Sequence, residues 1–307
     1  TGDGVTSVAI SADGEYIVAG SWDWKVYLFD KDSSTPLWSY ETGGEVRVVT
    51  ISADGEYIAA GVYDDNIYLF HKDGSTPLWN YTTGGDVYSV AISADGKYIA
   101  AGSVDNTVYL FDKDSSTPLW SYTTGGQVIS VAISMDGEYI AAGSYDDKVY
   151  LFDKNSSTPL WSYDTWRNVY PVVISADGEY IVAGTHDGEV YLFGKDSSTP
   201  LWNYTTGSET VQSVAITADG EYITVGSRDN KVYLFDKDSS TPLWSYKTGH
   251  DVYSVAITAD GEYIAAGSFD GRIYLFNEDS STPVWNYDTD YYVYAVAISA
   301  DGEHLTA

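Results

Sequence analysis

Tryptophan stands at position 22 of this 307-residue chain, and the matching position of the segments that follow holds Tyr63, Val104, Tyr145, His186, Arg228 and Phe269. A second position varies in the same way: Thr6 is matched by Arg47, Tyr88, Ile129, Tyr170, Gln212, Tyr253 and Tyr294. Trp24 follows Trp22 closely, and a loop that is usually Gly-Gly becomes Trp166-Arg167-Asn168 in one segment and Gly249-His250-Asp251 in another. Aromatic rings and guanidinium groups at variable loop ends suit non-covalent recognition, because Tyr, Trp and Arg are the residues enriched in binding hot spots. The expected ligand-binding set is therefore Trp22, Trp24, Arg47, Tyr63, Tyr88, Tyr145, Trp166, Arg167, Tyr170, His186, Arg228, His250, Tyr253, Phe269 and Tyr294. It includes three of the four arginines and two of the four histidines. The competing reading is relaxed drift, with tyrosines tolerated on the surface and arginines pairing with surplus acids.

Other chemistry finds less support. Asp30-Lys31-Asp32-Ser33-Ser34 has the alternating oxygens of a calcium loop, but lacks the glycine and the bidentate glutamate that such a loop needs. Turn chemistry, with side chains bonding nearby amides, accounts for the same run. His71, His186, His250 and His304 fall in different segments without metal-ligand spacing. No Gly-X-Ser-X-Gly elbow and no phosphate-cradling glycine loop is present. The expectation is no catalytic residue, no metal site and no cofactor.

Forty-five acidic residues against 15 basic ones give a net charge of −30, a field that repels nucleic acid and anionic membranes. No apolar run approaches the length of roughly 18 residues needed to span a bilayer as a helix. Zero cysteine removes disulfides and thiol chemistry. The chain opens at Thr1 without a targeting segment, so the compartment stays open between the cell surface or exterior and the cytoplasm. The partner expected from these constraints is a protein or peptide, with a glycan as the alternative.

These variable residues are held by a strict repeat. Asp13 of Ala12-Asp13-Gly14 returns at Asp54, Asp95, Asp136, Asp177, Asp219, Asp260 and Asp301, always 41 residues apart except for one step of 42. The longer step lies in the loop Gly207-Ser208-Glu209-Thr210. A period near 40 implies one supersecondary unit that buries its apolar faces on its neighbours. The repeats run over residues 5–42, 46–83, 87–124, 128–165, 169–206, 211–248 and 252–289, with a half repeat at 293–307. One domain is expected over residues 1–307.

Within the first repeat, VTSVAIS and EYIVAGS flank an Asp-Gly turn, the strongest short hairpin signal. KVYLFD forms a third strand, and Pro36 opens a fourth, which proline places at the sheet edge. Val26 and Leu28 point one way while Tyr27 and Phe29 point the other, so both faces are apolar. Four-stranded antiparallel sheets buried on both faces stack radially as the blades of an all-β propeller. Alternating connections put Ala-Asp-Gly and Asp-Lys-Asp-Ser-Ser-Thr-Pro on one rim and the variable loops on the other, where repeat scaffolds carry recognition.

The run Val87 to Asp105 resembles the first two strands of a WD40 repeat, whereas VYLFDKDSSTPLWSYTTG, Val108 to Gly125, is similar to the tryptophan motif of quinoprotein-type (PQQ-like) propellers. Where WD40 repeats carry Trp-Asp, this chain has Phe29-Asp30, Phe70-His71 or Phe193-Gly194, and Gly-His survives only as Gly249-His250. The His-Ser-Trp-Asp network of that family therefore cannot form. The resemblance implies instead that Trp38, Trp79, Trp120, Trp161, Trp202, Trp244 and Trp285 carry the contacts between blades, largely buried. It also names the enzyme class to weigh, a quinone-dependent dehydrogenase, for which the uniform blades offer no cofactor constellation.

Eight copies of the first two strands stand against seven of the last two. An eight-position ring with an incomplete last blade is favoured, and a seven-bladed ring is the alternative. The functional expectation is a non-enzymatic scaffold that binds a protein or peptide through the variable rim. The alternatives are a carbohydrate-binding surface protein and a structural protein whose half blade is completed by another chain.

Overall fold

The computed structural model describes residues 1–207 and 209–307; Ser208, in the loop of the longer step, lies outside them. In the first repeat the strands are β1 (Val5–Ile10), β2 (Tyr16–Ser21), β3 (Lys25–Asp30) and β4 (Trp38–Glu41), hydrogen-bonded in that order and antiparallel. Six more four-stranded sheets repeat this meander, and Ala297–Ile298 pairs with Leu305–Thr306 in a two-stranded remnant. The outer strand begins at Trp38, two residues past Pro36, because proline cannot donate to the ladder. In the second and seventh blades the outer strand is longer, Gly74–Thr82 and Ser280–Asp288, and carries its proline on the free edge. No helix among the described residues is long and apolar enough to cross a membrane.

The invariant turn is built by side chains. Ser11 Oγ donates to Asp13 Oδ1 at 2.6 Å and accepts from Tyr16 N at 3.0 Å, while Asp13 Oδ1 also accepts from Glu15 N. Gly14, at φ 73°, takes the left-handed conformation that a β-carbon disfavours. Next to each of these turns, backbone amides join the blades in a head-to-tail series: Ala12 N to Ala53 O, Ala53 N to Ala94 O, Ala94 N to Met135 O, and onward through Ala176, Ala218 and Ala259 to Ala300. Eight positions therefore surround the axis, and Ile10, Ile51, Ile92, Ile133, Ile174, Ile216, Ile257 and Ile298 line that mouth of the channel. The half repeat lies between blade seven and blade one, packed against the first strand of each. This decides the blade count for eight.

The core is a set of equivalent interfaces. Val26 and Leu28 of blade one meet Val46, Ile58, Tyr68 and Phe70 of blade two, and the same pattern recurs around the ring. Trp38 lies on this seam with its ring 5.5 Å from that of Phe70, and its Nε1 donates to Lys72 O at 2.7 Å. Six of the seven repeated tryptophans do join blades, but they are half-buried, not largely buried, and Trp285 is exposed. They sit on the outermost strand, where only one ring face can be covered.

In place of the WD40 network a carboxylate links neighbouring blades. Asp64 Oδ1 caps its own turn through Asn66 N, and Oδ2 accepts both Tyr68 OH at 2.7 Å and Gly43 N of the preceding blade at 2.9 Å. Asp105 and Asp270 repeat the arrangement. Burial and the hydrogen bond to the carboxylate push the Tyr68, Tyr109 and Tyr274 phenols far above their ordinary range.

Candidate binding rim

The position occupied by Thr6, Arg47, Tyr88, Ile129, Tyr170, Gln212 and Tyr253 is a β-bulge in each complete blade. Pairing of the first two strands jumps from Val46 to Val48 past Arg47, from Val87 to Ser89 past Tyr88, and from Val252 to Ser254 past Tyr253. A bulge frees one residue from the ladder and re-aims its side chain. Here the freed side chains of Tyr88, Tyr170, Gln212 and Tyr253 meet residues of the loops between second and third strands, at the mouth opposite the isoleucine ring.

Three aromatic arcs result. Tyr88 packs against Tyr63 at 5.6 Å between centroids, with the Arg47 guanidinium 5.7 Å from its ring. Tyr170 bridges Tyr145 at 5.4 Å and His186 at 5.7 Å. The third arc is the longest. Phe269 stacks parallel on Tyr253 at 3.7 Å, Tyr294 meets both edge-on, and Trp22 reaches Tyr294 at 5.6 Å across the closure of the ring. Arg228 ends this arc, its Nη2 donating to Tyr253 OH at 3.1 Å. In the amide orientation that satisfies both groups, the Gln212 side-chain oxygen accepts from Arg228 Nη2 at 3.2 Å.

Electrostatics follow from this crowding. Burial pushes the Tyr63 phenol up to about 12, the Arg47 guanidinium opposing and a hydrogen bond with Tyr88 adding to the rise. Burial and the hydrogen bond with Tyr170 raise Tyr145 further. Asp86 is also raised, by burial and by the like charges of Asp65 and Asp64. Arg167 lies 3.1 Å from Asp187 and Arg228 lies 3.9 Å from Asp251, whereas Arg47 makes no ion pair among the described residues.

Blade five departs from the others. Trp166 has φ 61° and is 74% exposed, and its N–H donates to Asp164 Oδ1. Asp187, the counterpart of Asp64, is thereby left to Arg167 and to Thr185 Oγ1. Trp166, Arg167, Asn168, Tyr170 and His186 line one hollow with Asp147. Trp24 stands apart from the arcs, about half exposed at φ 68°. His250 touches the third arc at its edge, 6.2 Å from Phe269.

Three participants fall outside the set expected from sequence. Tyr292 stacks on Phe269 at 4.8 Å, and Tyr291 beside it is 82% exposed. Their signal was present: a Tyr-Tyr pair where other repeats have Gly44-Glu45, Gly85-Asp86 or Gly126-Gln127. Gln212 stood at the second variable position without an aromatic or cationic side chain to single it out; the bulge and the cross-blade geometry bring it to Arg228.

A family model described as outer membrane protein assembly factor BamB, of the PQQ-type repeats, matches residues 64–218 and 186–303. The model of the WD domain, G-beta repeat, matches residues 1–30. No curated protein matches the chain.

Proposed function

Given that the chain belongs to the PQQ-type repeat family described as outer membrane protein assembly factor BamB, we propose that it is a non-enzymatic scaffold binding a protein or peptide at the bulge-presented rim. The observation that carries this reading is the third arc, in which Arg228, Tyr253, Phe269, Tyr294 and Trp22 make one continuous surface across four blade positions. Drift alone accounts for single exposed rings; it does not account for side chains from successive blades stacked on one another. The guanidinium at its end supplies a donor for carboxylates or backbone carbonyls, and the rings supply rigid apolar area at low entropic cost.

The test is a peptide-library and glycan-array screen with three proteins: the parent, Arg228→Ala, and Asp32→Ala on the far rim. Peptide hits lost in Arg228→Ala and kept in Asp32→Ala support the proposal. Hits on sugars alone would transfer the site to a carbohydrate ligand, and hits lost only in Asp32→Ala would move it to the acidic rim.

A further inference from the structure

The ring has one open seam. In six blades the phenylalanine of the third strand is fully buried, as Phe70 and Phe276 are, because the preceding blade's tryptophan and tyrosine cover it. Phe29, the counterpart in blade one, is partly exposed, and so is Ile17 beside it. Across the gap, Trp285 is 40% and Tyr287 is 65% exposed. Trp285 Nε1 makes no hydrogen bond among the described residues, whereas the other six repeated tryptophans each donate to a carbonyl of the next blade. Between these walls, Leu305–Thr306 pairs on one side alone.

The two walls are the two halves of one interface. Blade seven presents the tryptophan and tyrosine that cover a phenylalanine, and blade one presents a phenylalanine awaiting such a cover. Only an element carrying both halves satisfies both walls, and the third and fourth strands of this repeat are such an element. Glu303 adds a polar mark, since its counterparts Glu15, Glu56 and Glu138 each pair with the lysine that follows a third strand.

We propose that this seam is a docking site for a β-hairpin of the sequence type of the repeat's third and fourth strands, added to the free edge of Leu305–Thr306. Every such hairpin within residues 1–307 already pairs in its own blade, so the occupant belongs to polypeptide beyond these residues. Strand addition supplies backbone hydrogen bonds, while alternate side chains fill the two apolar walls and set specificity. Charge agrees as well, because the hairpin brings a lysine to Glu303.

The experiment uses the chain and a synthetic peptide with the sequence of residues 148–164, KVYLFDKNSSTPLWSYD. One peptide per chain is expected by native mass spectrometry, with slowed amide exchange at Leu305 and Thr306. Tyr287→Ala, an exposed change, should weaken binding at least about tenfold. A peptide with Trp161→Ala should weaken it likewise. A second arm avoids peptide solubility: residues 143–164 are appended in register after Ala307, and the melting temperature should rise, with less of that rise in Tyr287→Ala. The proposal is overturned if the peptide fails to bind near about 1 mM and the appended hairpin leaves the melting temperature unchanged. Binding indifferent to Tyr287→Ala overturns it too. So does a dimer of the chain alone that Tyr287→Ala dissociates, which would make a second copy the occupant.

Discussion

Arg228 and Tyr253 belong to different blades, yet the guanidinium donates to the phenol at 3.1 Å and its carbon lies 5.8 Å from the ring centroid. Each group orients the other: the bulge frees Tyr253 to stand at the mouth, and the loop of the preceding blade delivers the cation to it. Phe269 then stacks parallel on the tyrosine ring at 3.7 Å. The rim is thus held by contacts between blades, not by any loop on its own.

Arg228→Ala should therefore leave the fold intact and weaken the partner. The arginine side chain is 42% exposed, so unfolding free energy should change by no more than about 0.5 kcal/mol. Affinity for a peptide found in the screen should fall several-fold. The parent's affinity should fall with added salt more steeply than the variant's, because exposed charge is screened. Equal salt slopes in titration calorimetry would remove charge from the account.

Trp24 occupies a left-handed position that the other complete blades fill with Asp65, Asn106, Asp147, Gly188, Asn230 and Gly271. A bulky aromatic pays for positive φ where asparagine and glycine do not. Trp24→Asn should stabilise the chain by about 1 kcal/mol in urea melts. If the strain is retained for binding, the same variant should lose affinity; unchanged affinity would assign Trp24 no part in the rim.

The tryptophans of the outer strands should divide by position. Trp120 packs 5.3 Å from Phe152 and donates to Lys154 O, so Trp120→Ala should cost about 2 kcal/mol, below the usual figure for a fully buried ring. Trp285 has no following strand to cover it, and Trp285→Ala should cost less than about 0.5 kcal/mol. Equal costs would show that the seam contributes nothing to these contacts.

The Tyr–Asp links set the alkaline limit. Burial first, then the carboxylate hydrogen bond, raise the phenol of Tyr27 to about 12 and those of Tyr68, Tyr109 and Tyr274 higher. A raised folded-state value means that the folded chain holds protons the unfolded chain releases. The stabilisation is complete below the unfolded value near 10 and drains away as pH climbs through the folded values. Melting temperature should hold steady to about pH 9.5 and fall above it. Replacing Asp64 by Asn should soften that fall while lowering stability at neutral pH.

The repeat, the strand order, the hairpin turns and the two-sided cores were legible in the residues, because each depends on local periodicity and turn chemistry that every copy restates. Even the set of variable positions could be read by comparing copies. The blade count could not, since eight inner hairpins and seven outer ones fit two rings; the amide series from Ala12 to Ala300 decided it, through contacts 41 or 42 residues apart. The half-exposure of Trp38 was likewise a matter of which side of the outer strand faces solvent. The bulges decided most. A bulge exists only relative to a partner strand, so nothing in Arg47, Tyr88 or Tyr253 announces that its backbone has left the ladder. Residue type and spacing determined which side chains could recognise a ligand; the pairing of strands and the closing of the ring decided that they would touch one another across blades.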